Sequence, residues 1–211
     1  MALNDAFYWV VKTLFRLVFT LYNGLKVEGM ENVTPKTTFI VASNHASYID
    51  PPLLGGVFPG RLRYLAKDSL FENPVMRFLI SNLGALPVKR EDSQRAGAVM
   101  KIMLERLVLG ESFLLFPEGT RSKDGKLLPL EGGAAFLSVK SGVPLLPVYI
   151  SGSSEAMPPR CRFPRPARLR VTFGAPIFPD CGILDEKQRR EALKNALEEA
   201  LRSLERTGRP R

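Results

Sequence analysis

One histidine, His45, and two cysteines, Cys161 and Cys181, are all the imidazole and thiol that the 211-residue chain contains. A lone imidazole excludes any site built from several of them, so if an imidazole moves protons in this chain it is His45. The cysteines have no CxxC spacing and no histidine near them, which argues against a zinc site and against a disulfide framework. That usage agrees with a reducing cytosol. No metal site is expected. No internal repeat and no long linker divides the chain.

A convincing membrane span is also missing. The most apolar stretch, Phe7 to Tyr22, is interrupted by Lys12 and Arg16. Sixteen helical residues at about 1.5 Å each reach roughly 24 Å, short of the roughly 30 Å hydrocarbon core. The stretch also lacks the small-residue cleavage site of a signal peptide. Lys12, Arg16 and Thr20 share one helical face and the other faces are apolar, which predicts a helix lying in the membrane interface with its cations toward phosphates. The competing expectation is a first helix packed on the domain's own core. Residues 1–24 are accordingly read as an interfacial anchor and 25–211 as the main domain.

What the chain does have is positive charge: 30 Lys and Arg against 21 Asp and Glu, a formal net charge of +9. Such a balance suits an anionic partner, whether nucleic acid, acidic lipid headgroups or a phosphorylated substrate, and it also serves solubility. A nucleic-acid module is disfavoured, because the aromatics gather in the first helix and no helix-turn-helix or zinc-finger spacing occurs.

Beyond the first helix, strand-like and helix-like segments alternate. Short apolar runs at 38–42, 63–66, 85–88, 112–116, 144–150 and 169–173 predict strands. Segments 49–55, 74–83, 93–109, 132–140 and 185–206 predict helices, several of them stopped by glycine. Two prolines in 143–150 predict an edge strand or a bulge. The alternation implies one α/β domain, a mixed, largely parallel sheet surrounded by helices.

Two loops that leave buried strands carry the chemistry. In the first, Ser43-Asn-His-Ala-Ser-Tyr-Ile-Asp50, a histidine and a carboxylate stand five apart at a strand-to-helix turn, where α/β sheets form ligand sites. An aspartate holding one ring nitrogen fixes the tautomer and stabilises the imidazolium, so His45 is a candidate general base with Asp50 as its partner. Ser47 is expected to cap the following helix rather than act as a nucleophile. In the second loop, Phe116-Pro-Glu-Gly-Thr-Arg-Ser122, Arg121 offers a planar fork suited to phosphate, and Glu118 an acceptor for a substrate hydroxyl or for Arg121. A phosphate-cradling Walker loop is excluded, since Leu127 stands where that motif needs Ser or Thr. The segment Gly84 to Arg90 delivers Lys89 and Arg90, and Val143 to Ile150 is an apolar strand suited to an acyl groove or to the core.

Taken in order, Asn44-His45-x-Ser47-x-x-Asp50, Gly84 to Arg90, Phe116 to Ser122 and Val143 to Val148 resemble the four motifs of the glycerolipid acyltransferase family, whose bacterial members include 1-acyl-glycerol-3-phosphate acyltransferases. Ala66 to Pro74 is similar as well. The resemblance covers about residues 25 to 175. It implies transfer of a fatty acyl group from acyl-CoA or acyl carrier protein to the free hydroxyl of a lysophospholipid, with no cofactor beyond these co-substrates. It further implies His45 and Asp50 as the catalytic pair, Arg90 and Arg121 as phosphate ligands, Glu118, Gly119 and Thr120 around the acceptor, and Lys67 assisting. A peripheral place on the cytosolic face of the cytoplasmic membrane, against an anionic lipid surface and without nucleic acid, follows from the same likeness. Glu131 departs from the pattern, standing where many relatives carry a basic residue. Another lysolipid or an amino-acid-based lipid is the alternative acceptor.

Overall fold

The computed structural model describes residues 2–88, 93–158, 161, 163–179, 182 and 185–208. In chain order the elements are α1 (Ala2–Asn23), β1 (Lys26–Glu28), β2 (Ile40–Ser43), α2 (Asp50–Val57), β3 (Leu62–Lys67), α3 (Pro74–Asn82) and β4 (Ala85–Val88). They continue with α4 (Ser93–Val108), β5 (Ser112–Leu115), α5 (Gly133–Ser141), β6 (Leu145–Ser151), α6 (Ser153–Ala156), β7 (Arg170–Phe173) and α7 (Glu186–Gly208). The strands form one seven-stranded sheet in the order β1-β7-β6-β2-β5-β3-β4, parallel except where β6 meets β7. This is the expected α/β architecture with a mixed, largely parallel sheet.

Period-two alternation places side chains on both faces of the sheet, and both faces are covered. Val41, Leu114, Val148, Ile150 and Val171 pack under α1 and α2 with Leu53, Leu54 and Phe19. Ile40, Ala42, Phe113 and Leu145 pack against Met103 and Leu107 of α4, Leu137 of α5 and Leu193, Leu197 and Leu201 of α7. The helical leucine spacing of α7 therefore marks a buried stripe, as its sequence predicts.

Three expectations are corrected. Strand β6, read as an edge or bulged strand because of its prolines, lies inside the sheet between β7 and β2. Pro147 fits there because its carbonyl accepts from Gly174 N–H at 2.8 Å, just past the end of β7. Its missing N–H faces the same way, so β6 forgoes one bond beside Gly174, and the pairing resumes where Leu145 meets Ile177. The three-residue strand β1 was not anticipated. It is held at the sheet edge by Gly29, whose φ is 74° and whose added Cβ would stand 2.0 Å from the Phe173 carbonyl oxygen.

The third correction concerns α1. Its inward stripe runs through Tyr8, Lys12, Phe15, Phe19 and Asn23, and it packs chiefly on α2. Lys12 does not turn outward with Arg16. Its ammonium is buried, donates to the carbonyls of Phe58 and Gly60, and lies 4.7 Å from the Trp9 ring centroid. Burial, with a smaller contribution from the Arg16 charge, lowers Lys12 to about 8. The helix thus packs on the domain through a stripe that includes a cation, and leaves Trp9, Val10, Leu14, Leu17, Val18 and Leu21 exposed. Among the described residues no helix is long and apolar enough to cross a membrane.

Candidate active site

Strands β2, β5, β3, β4 and β6 run in one direction, so their C-terminal ends share one edge of the sheet. His45 follows β2 at this edge and the 117–131 loop follows β5 beside it. Asn44 fixes where β2 leaves the sheet. Its amide donates to Ile150 C=O at 2.9 Å and accepts from Ile150 N–H at 2.7 Å, extending the pairing to β6 by one side chain.

The turn from β2 into α2 is organised by one carboxylate oxygen. Asp50 Oδ2 accepts from His45 Nδ1, Ala46 N–H and Ser47 N–H, each at 2.8 Å. Asp50 is fully buried at the first position of α2, where the helix dipole favours a negative charge. Its Oδ1 has no partner among the described residues. Ser47 does not cap the helix as expected. Its hydroxyl donates to Met157 C=O at 3.1 Å and keeps only a 3.5 Å contact with Ile49 N–H, while Asp50 reaches back to the amides instead.

An ionised carboxylate can only accept, so this contact selects the tautomer with the proton on Nδ1, in which the neutral ring presents a lone pair at Nε2. The imidazole stacks on Phe116, with centroids 3.9 Å apart and planes 16° from parallel. Asp50 and Phe116 together fix the ring's direction and plane. The side chain is 13 % exposed.

The 117–131 loop is closed at its base by Glu131 N–H to Pro117 C=O, 2.6 Å. Glu118 then crosses the loop and joins it to the histidine turn. One carboxylate oxygen accepts from His45 N–H at 2.6 Å, the other from Leu128 N–H at 2.8 Å. His45 C=O in turn accepts from Ser122 N–H at 2.7 Å. The backbone of the histidine is therefore held on both sides by this loop. Burial raises the Glu118 carboxyl above the ordinary range, against the lowering effect of the two amides. Both oxygens of Glu118 thus hold backbone amides of the two loops.

Arg121 lies over the ring of Tyr48, 3.6 Å from its centroid. Tyr48 is 63 % exposed, a costly placement for an aromatic unless its face is used. The stack covers one face of the guanidinium. Gly119 (φ 67°) forms the turn, and Thr120 is exposed beside it. Lys67 ends β3 at the same sheet edge and is exposed. Arg90 and Lys89 lie outside the described residues. Glu131 is exposed next to Gly119. Phe116, Tyr48 and Asn44 were not singled out from the sequence, although each lies within or beside the two loops.

Fold and site define a class: an α/β protein with a histidine hydrogen-bonded to a buried aspartate at the C-terminal edge of its sheet, next to an arginine. The comparisons specify it further. Residues 24–151 match the family model "Acyltransferase", and the chain belongs to that family. It is 28 % identical over 192 residues to the 1-acyl-sn-glycerol-3-phosphate acyltransferase of Bacillus subtilis, covering 90 % of this chain and 92 % of that one. A chloroplastic enzyme of the same name from Brassica napus is 35 % identical over 133 residues, which is 63 % of this chain and 38 % of the plant protein. The chain thus spans well under half of the plant relative's length. The crystal structure of PlsC, the 1-acyl-sn-glycerophosphate acyltransferase of Thermotoga maritima, superposes with a TM-score of 0.75 at 31 % identity, covering 93 % of this chain and 80 % of that one.

Proposed function

We propose that this protein transfers a fatty acyl group from a thioester donor, acyl-CoA or acyl carrier protein, to the free sn-2 hydroxyl of 1-acyl-glycerol-3-phosphate, giving phosphatidic acid. The observation that carries the reading is the 2.8 Å contact between His45 Nδ1 and buried Asp50, set beside Arg121, in a chain whose relatives bear that activity in their names.

In this mechanism Nε2 of His45 removes the hydroxyl proton as the oxygen attacks the thioester carbonyl. The new C–O bond gives a tetrahedral oxyanion, met by donors of the two loops. Collapse breaks the C–S bond, and the imidazolium returns the proton to the departing thiolate. Asp50 stabilises the imidazolium in between without taking its proton. The thioester is already activated, so neither an acyl-enzyme nor a cofactor enters the step. Arg121, with Lys67 and Arg90, binds the acceptor phosphate.

The acceptor is itself a lipid, held in the bilayer by about 0.8 kcal/mol per buried methylene, so the enzyme works at a membrane surface. We assign that contact to the outer face of α1, with Phe78 of α3 beside it. Phe78 is exposed and meets Phe7 edge-on at 5.4 Å. Such a face, on the cytosolic side of the cytoplasmic membrane, meets acceptor in the bilayer and donor in the cytosol. Leu14→Glu with Leu21→Glu is expected to abolish co-sedimentation with anionic vesicles while leaving the fold intact, and undiminished co-sedimentation overturns the assignment.

The decisive assay is thiol release from a palmitoyl thioester across a panel of lysolipid acceptors, with the lipid products identified. Lysophosphatidate is expected to be preferred, and His45→Ala to lower turnover by about 10²–10⁴-fold. Preference for another lysolipid transfers the same mechanism to that acceptor, a reading that the acidic Glu131 favours. Near-normal turnover by folded His45→Ala protein overturns the mechanism.

A further inference from the structure

A cleft of about 550 Å³ opens at the same sheet edge as His45, between the tip of the 117–131 loop and the corner from β6 into α6. This is the size of a small-molecule site. Ala46, the residue after His45, forms part of its wall. The strand order gives its place: β6 and β7 lie on one side of β2, whereas β5 and β3, which deliver Arg121 and Lys67, lie on the other. The β6 and β7 wall of the cleft therefore lies on the side of His45 away from β5 and β3, and the tip of the 117–131 loop reaches over to close it.

The lining is chemically mixed. Ser151, Ser153 and Ser154 bring hydroxyls, Ile150 and Ala167 bring apolar surface, and Lys126 and Arg168 bring charge at the rim. Asp124, Glu155 and Glu205 bring carboxylates. Asp124 already accepts from Ser122 Oγ and Lys126 N–H, and Glu155 from Ser154 Oγ. Three carboxylates against two cations disfavour a ligand made only of phosphates. The lining suits an elongated molecule with amides and hydroxyls along its length and a single phosphate at its end. Ser153 supports this independently. It is 2 % exposed, and its hydroxyl has no partner among the described residues. A buried hydroxyl left unpaired on a cleft wall is costly unless a bound group completes it. The corner itself is tightly packed: Gly152 has φ 84°, and a Cβ there would stand 2.0 Å from the Arg168 carbonyl oxygen.

We infer that this cleft binds the phosphopantetheine arm of the thioester donor, so that donor and acceptor reach His45 from opposite flanks. The inference rests on the acyl-transfer reading above. The arm, two amides and a hydroxyl ending in one phosphate, is common to acyl-CoA and acyl carrier protein.

The test uses the full chain with lysophosphatidate and, separately, palmitoyl-CoA and palmitoyl acyl carrier protein. Whichever donor the wild type turns over identifies the source of the arm. Ser153→Ala removes a hydroxyl with no partner among the described residues, so its unfolding midpoint should match the wild type. Arg168→Glu reverses an exposed charge. Each is expected to raise KM for the donor about five- to tenfold, the effect of one lost hydrogen bond or ion pair. The kcat and the KM for lysophosphatidate should stay within about twofold. Unshifted donor KM in both variants, or a rise in acceptor KM instead, overturns the inference while the acyl-transfer reading stands. No product from the wild type with either donor and any lysolipid overturns that reading, and this inference with it.

Discussion

Glu118→Gln separates a strut from a substrate ligand. The native carboxylate accepts from two amides that belong to different loops, His45 N–H at 2.6 Å and Leu128 N–H at 2.8 Å. Glutamine has one carbonyl oxygen, so it keeps one of these bonds and turns an NH₂ group toward the other amide. A hydrogen bond to a charged group is worth about 1.5–3 kcal/mol, and an unsatisfied buried donor costs about 1–3 kcal/mol. Removing the charge also relieves its desolvation, which the raised carboxyl pKa signals, and this offsets part of the loss. A net destabilisation of about 1–3 kcal/mol results. For a chain of this size that lowers Tm by roughly 2–12 °C. His45 loses one of its two backbone anchors, and misplacing a reacting group by about 1 Å can cost 10²-fold in rate. We therefore expect kcat to fall about 10- to 100-fold, with the KM for lysophosphatidate unchanged within about twofold. Thermal unfolding and steady-state kinetics with the acceptor varied measure both. A large rise in acceptor KM with kcat and Tm unchanged would falsify the strut and return Glu118 to the acceptor site.

Further expectations concern the neighbours. Asp50→Asn keeps the size of the side chain and one acceptor oxygen but removes the charge that stabilises the His45 imidazolium, so kcat should drop about 10²–10⁴-fold, and a loss under threefold would contradict the pair. Tyr48→Ala removes the face under Arg121, worth about 0.5–2 kcal/mol, and should raise acceptor KM several-fold, whereas Tyr48→Phe keeps the ring and should not; equal effects of the two would assign the role to the hydroxyl. Lys12 has a folded pKa near 8, below its ordinary 10.5. Between these values the unfolded chain binds more protons than the folded one, so Lys12 makes stability rise with pH across that window. Tyr8 and Tyr64, raised by burial, act in the opposite sense above about pH 10. Urea unfolding from pH 7.5 to 9.5 should thus show a steeper upward slope for the wild type than for Lys12→Met, and parallel slopes would contradict a buried ammonium.

Local pattern carried far in this chain because most of its elements are locally consistent. The leucine stripe of α7, the apolar runs of β2 and β5 and the glycine stop after α5 are each readable from neighbours in sequence, and the sheet accepts them as they stand. Pairing His45 with Asp50 was legible for the same reason: five residues across one turn leave little freedom. Pro147 misled because one missing N–H removes a single ladder bond and leaves the rest of the strand free to pair, and the sequence does not say that strands stand on both sides of it. Lys12 misled because a helical wheel cannot say which stripe meets the domain.

By itself, then, the amino-acid order determined the class of fold, the histidine–aspartate turn and the presence of an apolar first helix, all consequences of spacing and side-chain type within a few residues. Only the tertiary structure decided that Glu118 braces the histidine, that Tyr48 carries Arg121, that α1 faces inward through a lysine, and that a polar cleft flanks the site on the β6 side. Each of those depends on groups far apart in sequence meeting at one edge of the sheet. Hydrogen bonds and ring contacts act only over a few ångströms, so the direction of a side chain is settled by what finally stands opposite it.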